Sequence, residues 1–222
     1  MRALTLPMTL ALALGIALSP IAVARAQDKP APSREQALAD LAKADAEARR
    51  QAAIRLGEVG SMADAPALLR ALRDPDDGVR ALAERAVWQV WSRVGDPEVD
   101  ALFQRGVEQM NQGTAEGAID TFTAIIRKKP DFAEGWNKRA TIYFLIGDYE
   151  KSLADCAEVV KRNPDHFGVL SGYGQIYVQL DQPERALDYF QRALKVNPNL
   201  HQVEIAVEQL KRLIIEKRKG TI

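Results

Sequence analysis

"WNKRATIYFLIGDYEKSLADCAEVVKRNP", Trp136–Pro164, ends in the proline that decides the fold. Pro164 falls 34 residues after Pro130, and Pro198 falls 34 after Pro164. A constant period of this length marks an internal repeat, in which each unit is a supersecondary element that buries its apolar face against its neighbours. Aligning the prolines gives three units, 99–132, 133–166 and 167–200. Each reads as two antiparallel helices, because apolar residues recur at helical spacing and no stretch alternates as a strand does.

The three units share a large-and-small pattern. In the third, Leu170, Tyr173, Tyr177 and Phe190 are large, while Gly174, Ala186 and Ala193 are small. The middle unit repeats the scheme with Trp136, Ala140, Tyr143, Ser152 and Cys156, and the first with Leu102, Gly106, Ala118, Phe122 and Ile125. Two helices approach closely only where side chains are small, and bulky residues fill the gaps on either side. On these residues the chain resembles the tetratricopeptide repeat (TPR) family, whose 34-residue unit has this pattern and a helix-ending proline. It departs from the family pattern at Arg105 and Arg139, where the position is usually apolar, at Gln109, usually aromatic, and at Val159, usually small.

Local chemistry places the helix ends independently. Thr114, Asp131 and Asp148 stand where a side-chain oxygen accepts from free N–H groups at a helix start. Pro97 and Pro183 fall in first turns, where the missing N–H costs nothing. A last helix is predicted from Asn199 to about Lys219, with Val203, Val207, Leu210 and Ile214 on one face. Glu208 sits where a further unit would need a small residue, so this helix closes the stack, as an open-ended array requires.

Residues 34–95 carry a second, shorter repeat. Arg49 aligns with Arg80, Ala52 with Ala83 and Leu56 with Val87, an offset of 31. The string Asp74, Val79, Arg80, Ala83 followed by a helix looks like the short HEAT-like repeats of bacterial proteins. The fold expected is therefore all-α: an α-solenoid of antiparallel helix hairpins made of a HEAT-like pair (34–95), three TPR units within 96–200, and a capping helix with a basic tail (201–222). Trp88 and Trp91 are expected to pack across the join.

Residues 1–26 differ from the rest. Arg2 precedes an apolar run from Leu4 to Val23, no acidic residue occurs, and Ala24-Arg25-Ala26 places small residues where a signal peptidase reads. The segment reads as a secretory signal peptide cleaved near Ala26, with an uncleaved membrane anchor as the competing reading; Pro7, Ser19 and Pro20 interrupt the apolar run and favour cleavage. "QDKPAPS", 27–33, is a flexible lead-in. The protein is expected to be exported, periplasmic or secreted.

Chemistry is harder to find. The 30 basic residues balance 30 acidic ones, whereas nucleic-acid binders carry a basic stripe. His166 and His201 follow the helix-ending prolines and are read as solvent-facing loop residues rather than a metal pair. Cys156 occupies the slot of Phe122 and Phe190, as a small buried hydrophobe would. Gly172–Tyr177, "GYGQIY", lacks the third glycine and the preceding strand of a dinucleotide loop. The acidic residues read as solvated helix surface. No catalytic, cofactor-binding or metal-binding residue is assigned, and the chain is read as a non-enzyme with no cofactor.

In a TPR stack the first helix of each hairpin lines an inner groove, and the resemblance implies Phe103, Val107, Met110, Asn137, Lys138, Thr141, Phe144, Ser171, Gln175 and Gln179 as groove residues. Such a surface suits a peptide or helix of a partner protein. The family's basic clamp for a terminal carboxylate would need Lys, Asn and Arg where this chain has Phe103, Val107, Gly168 and Gly172. The function expected is a protein–protein interaction scaffold or adaptor of the cell envelope. The alternative is an accessory subunit or chaperone of an envelope enzyme complex, for example in cytochrome maturation or peptidoglycan assembly. The basic tail "LKRLIIEKRKGTI" offers a further contact with anionic lipid, although such runs also suit a helix C-terminus.

Overall fold

The structure, a computed structural model, describes residues 31–219. The expected signal peptide, most of the lead-in and the last three residues lie outside the described residues. All of the helices belong to one compact unit, Pro32–Ile222.

The described residues form eleven α-helices. Four belong to the N-terminal segment: α1 (Arg34–Asp40), α2 (Ala46–Val59), α3 (Ala65–Ala71) and α4 (Asp77–Trp91), with a 3-10 turn at Met62–Asp64. Three hairpins follow: α5 (Pro97–Asn111) with α6 (Ala115–Lys128), α7 (Ala133–Leu145) with α8 (Tyr149–Arg162), and α9 (Phe167–Gln179) with α10 (Pro183–Val196). The last helix is α11 (His201–Lys219). Asp96 and Asp148 cap α5 and α8 by accepting backbone N–H bonds, and Pro97 and Pro183 open their helices. Two predicted caps behave differently. Thr114 occupies the N-cap of α6 without a side-chain bond. At α7 the N-cap is Phe132, one residue beyond Asp131.

The 34-residue period is visible in the backbone. The turn inside each hairpin holds one residue at positive φ: Gly113 (74°), Gly147 (80°) and Asp181 (50°). Glycine adopts this conformation without Cβ strain, and Asp is among the few residues that tolerate it.

Side-chain volumes are matched across each hairpin. A Cβ on Gly106 would lie 2.6 Å from the Phe122 ring, and one on Gly174 would lie 2.4 Å from that of Phe190. The middle hairpin has Ala140 in the glycine slot, and the facing residue is Cys156 instead of Phe. An added methyl on one helix is thus offset by a smaller side chain on the other, which keeps the crossing close-packed. The departure at Arg139 has the same logic. Arg139 pairs with Asp155 through two bonds of 2.8 Å, and one period later the same two positions hold Tyr173 and Tyr189, stacked at 4.3 Å.

In the N-terminal segment, equivalent residues also do equivalent work. Asp45 caps α2 and Asp76 caps α4. Arg49 donates to the carbonyls of Lys43 and Ala44, and Arg80 donates to those of Asp74 and Pro75, each reaching back five and six residues. The 31-residue offset is therefore a structural repeat: two helical hairpins, each fastened at its turn by an aspartate and an arginine.

The join between the two parts is not sequential. The buried cluster of α1–α4 takes in Phe167, Val196 and Leu200, and among the described residues it includes none from α5 or α6. Trp88 and Trp91 pack on Phe167 at 5.2 and 5.1 Å, and Asn199 donates to the Leu72 carbonyl at 2.8 Å. The tryptophans do bridge the two parts, but to the third hairpin rather than the first. The N-terminal helices thus lie against the start of α9 and the end of α10.

Candidate peptide-binding groove

Helices α7, α9 and α11 line one face of the stack. Between α9 and α11 runs an open apolar depression of about 560 Å³, floored by Phe144, Val178, Leu210 and Leu213, with Gln175, Gln179 and Gln209 among its lining residues. A smaller recess of about 130 Å³ between α7 and α9 shares Phe144 and Gln175 with it and is lined further by Asn137, Thr141, Gly168 and Gly172. Val178 and Leu213 are exposed.

The ten residues expected to line the groove separate into groups. Thr141, Gln175 and Gln179 are exposed, and Lys138, Phe144 and Ser171 are half-buried. Asn137 is buried and donates to Glu134. Phe103 is also buried, packed edge-on against Phe122 and Phe132, and Val107 and Met110 pack on the same cluster. The first hairpin therefore spends its apolar inner residues on its own core. The groove is concentrated in the second and third hairpins and extends onto α11, whose Gln209 and Leu213 were not anticipated. Leu213 lies outside the face of Val207, Leu210 and Ile214 that packs the helix down, so an exposed leucine next to that face was the available signal.

One end of this surface is bounded by α4. A Cβ on Gly168 would lie 2.4 Å from the Trp88 ring, so glycine is required for that approach. The Lys138 ammonium lies 5.9 Å from the centre of the same ring.

Beneath Trp88 is a buried polar network that corrects the reading of two residues as surface groups. His166 is fully buried rather than a solvent-facing loop residue; only His201 is exposed. His166 is the N-cap of α9, where its Nδ1 accepts the Val169 N–H at 3.1 Å. The ring proton therefore sits on Nε2, which contacts the Glu134 carboxylate at 2.5 Å. Trp91 stacks on the imidazole at 4.4 Å. Glu134 is fully buried too, not part of a solvated helix surface. Burial alone would push its carboxyl up, but His166, Lys138 and Asn137 together outweigh that and hold it at about 2. Asp155 and Asp64 are likewise buried and paired, with Arg139 and Arg34.

Cys156 is buried, as its slot implied. Burial pushes its thiol up to about 12, far from a reactive thiolate. Among the described residues no group of three or more His, Cys, Asp and Glu is placed to hold a metal ion.

A stack of helical hairpins with a 34-residue period, small residues at each crossing and a groove along the first helices is the architecture of a tetratricopeptide-type repeat array. Residues 131–199 match the tetratricopeptide repeat family model, so this span carries tetratricopeptide repeats. It is 32% identical over 130 residues to a TPR repeat-containing protein of Rhizobium etli, an overlap that covers 59% of this chain and 63% of that one. It is 26% identical to a small glutamine-rich tetratricopeptide repeat-containing protein of Dictyostelium discoideum, over 55% of this chain and 37% of that one. The chain thus spans less than two thirds of either relative. Among solved structures, the first TPR of Spaghetti (RPAP3) bound to an HSP90 peptide superposes with a TM-score of 0.52 at 22% identity, covering 55% of this chain and 97% of that one. The Sgt2 TPR domain from Aspergillus fumigatus gives 0.53 at 23% identity, covering 57% and 85%. These likenesses establish the helical-hairpin fold.

Proposed function

We propose that this protein is a non-enzymatic interaction scaffold that holds an apolar peptide segment of a partner protein in the groove formed by α7, α9 and α11. The observation that carries the reading is the depression beside Phe144, Val178 and Leu213 with Gln175, Gln179 and Gln209 among its lining residues. An apolar floor takes one or two anchoring side chains, and primary amides, each both donor and acceptor, match the N–H and C=O groups of a peptide backbone. The RPAP3 domain holds an HSP90 peptide, which supports peptide binding as the use of this face. The clamp residues for a terminal carboxylate are replaced here by Phe103, Val107, Gly168 and Gly172. An internal segment is therefore the better ligand.

The setting belongs to the same proposal. The apolar run Leu4–Val23 followed by Ala24-Arg25-Ala26 supports export and cleavage near Ala26, and export would put the scaffold in the cell envelope or outside it. The 31-residue hairpin repeat of α1–α4, with its paired Asp caps and Arg ties, supports the HEAT-like reading of 34–95.

Gly172→Leu tests the groove. A Cβ on Gly172 meets nothing within 4 Å, so the new side chain starts in open space at the recess. Affinity capture from envelope extracts with wild type and variant side by side should retain a partner on the wild type and lose it on Gly172→Leu. Equal retention by both contradicts groove binding.

A further inference from the structure

A further cavity of about 490 Å³ opens between α3 and the third hairpin. Its lining brings together Arg70 and Arg73 at the end of α3 with Arg192 and Lys195 of α10; Asp165 is the one carboxylate among them. Leu69, Pro164, Leu170 and Val196 supply apolar walls.

Four arginines of the N-terminal hairpins pair with nearby carboxylates: Arg34 with Asp64, Arg49 with Asp74, Arg50 with Asp76 and Arg80 with Asp77. The cations at this cavity are not matched in that way. Among the described residues, Arg70, Arg73 and Lys195 have no carboxylate within ion-pair distance, and Arg192 reaches only Asp188, at 3.7 Å. Helix C-termini favour single cations such as Arg70 and Lys195, but that does not account for four converging from segments distant in sequence. Two of the four are held in place. Arg73 is tied to the carbonyls of Lys195 and Val196, and Arg192 lies over the Tyr189 ring at 4.6 Å. Arg70 and Lys195 are exposed, with donors free to meet an incoming group. Like charges gathered and fixed in this way repel one another, and an anion relieves the repulsion.

We propose that this seam cavity is a binding site for a phosphate group carried on a small organic body. Guanidinium forks match phosphate oxygens in bidentate geometry. A volume of about 490 Å³ exceeds what a bare phosphate fills and lies in the range of small-molecule sites, and the apolar walls take the carbon part. The phosphate comes either from a soluble ester or from a lipid headgroup.

The test uses the whole chain and the double variant Arg70→Ala/Lys195→Ala, whose side chains hold no structural contact and whose circular dichroism and melting should match wild type. Calorimetric titration with pyrophosphate and with glycerol 3-phosphate, and sedimentation with phosphatidylglycerol vesicles against phosphatidylcholine vesicles, separate the two sources. The expected result is saturable binding at ~1 mM or tighter on the wild type, weakened ~10-fold or more in the variant. Binding of the soluble phosphates alone identifies a soluble ligand, and variant-sensitive sedimentation with phosphatidylglycerol identifies a headgroup. No saturable binding in any arm, or equal binding by the variant, overturns the proposal.

Discussion

Trp91 lies flat on His166, ring centres 4.4 Å apart, and so fixes the end of α4 to the start of α9. The imidazole beneath it is bonded on both nitrogens, to the Val169 N–H and to Glu134. Three parts of the chain, α4, α7 and α9, therefore meet at one buried ring. Removing the imidazole takes away the Nε2–H that serves the buried Glu134 carboxylate, and a buried charge left short of a donor costs about 3 kcal/mol. His166→Ala should lower stability by about that much, read by urea denaturation, and Trp91→Ala by a similar amount through the cavity it leaves.

The same pair sets a pH response. The Glu134 carboxyl is held at about 2 in the folded protein, below its ordinary value of 4.5. Its contribution is present above about pH 4.5 and is lost as pH falls toward 2, on the order of 3 kcal/mol in all. Glu134→Gln should be less stable than wild type at pH 7, with the gap narrowing on acidification through that window. A gap independent of pH would contradict the pairing.

Gly172 and Gly174 should respond in opposite directions to the same change. A Cβ on Gly174 would stand 2.4 Å from Phe190, whereas one on Gly172 has open space. Gly174→Ala should destabilise by about 1 to 3 kcal/mol by overpacking the crossing. Gly172→Ala should stabilise by about 1 kcal/mol through helix propensity. Thermal melts of the two variants check both signs.

Arg139 and Asp155 occupy the positions that hold stacked tyrosines in the next hairpin. Asp155→Ala alone should cost about 3 kcal/mol or more, because Arg139 keeps its charge in a half-buried site. Arg139→Tyr/Asp155→Tyr should recover most of that loss, since the neighbouring hairpin shows the aromatic pair fits the same backbone. A double variant no better than the single would mean the two sites are not equivalent.

Cys156 should resist alkylation. Its thiol is buried and pushed up to about 12, so a thiol reagent should modify it only at the rate of unfolding.

The hairpins were legible because periodicity is local. Three prolines, the Gly106/Ala140/Gly174 series and the Phe122/Cys156/Phe190 series each report a crossing within one unit. The seam was not legible. Trp88 and Trp91 are apolar in either arrangement, and nothing in their spacing distinguishes a partner at the first hairpin from one at the third. Gly168 carried the only local hint, as a glycine in mid-pattern where another helix comes close. His166 reads as a loop residue because it follows Pro164, whereas the N-terminal helices that bury it are distant in sequence. Of the residues lining the depression and the recess beside it, Thr141, Phe144, Gln175 and Gln179 follow from repeat position. The burial of Phe103 does not, since it depends on whether Phe122 and Phe132 close over it.

The most direct measurement places a photocrosslinking amino acid at Gln179, inside the groove, and separately at Glu184, exposed on α10 away from it, and irradiates cells expressing each protein. Groove binding predicts a crosslinked partner from position 179 and none from position 184. A partner captured from 184 and not from 179 would contradict it.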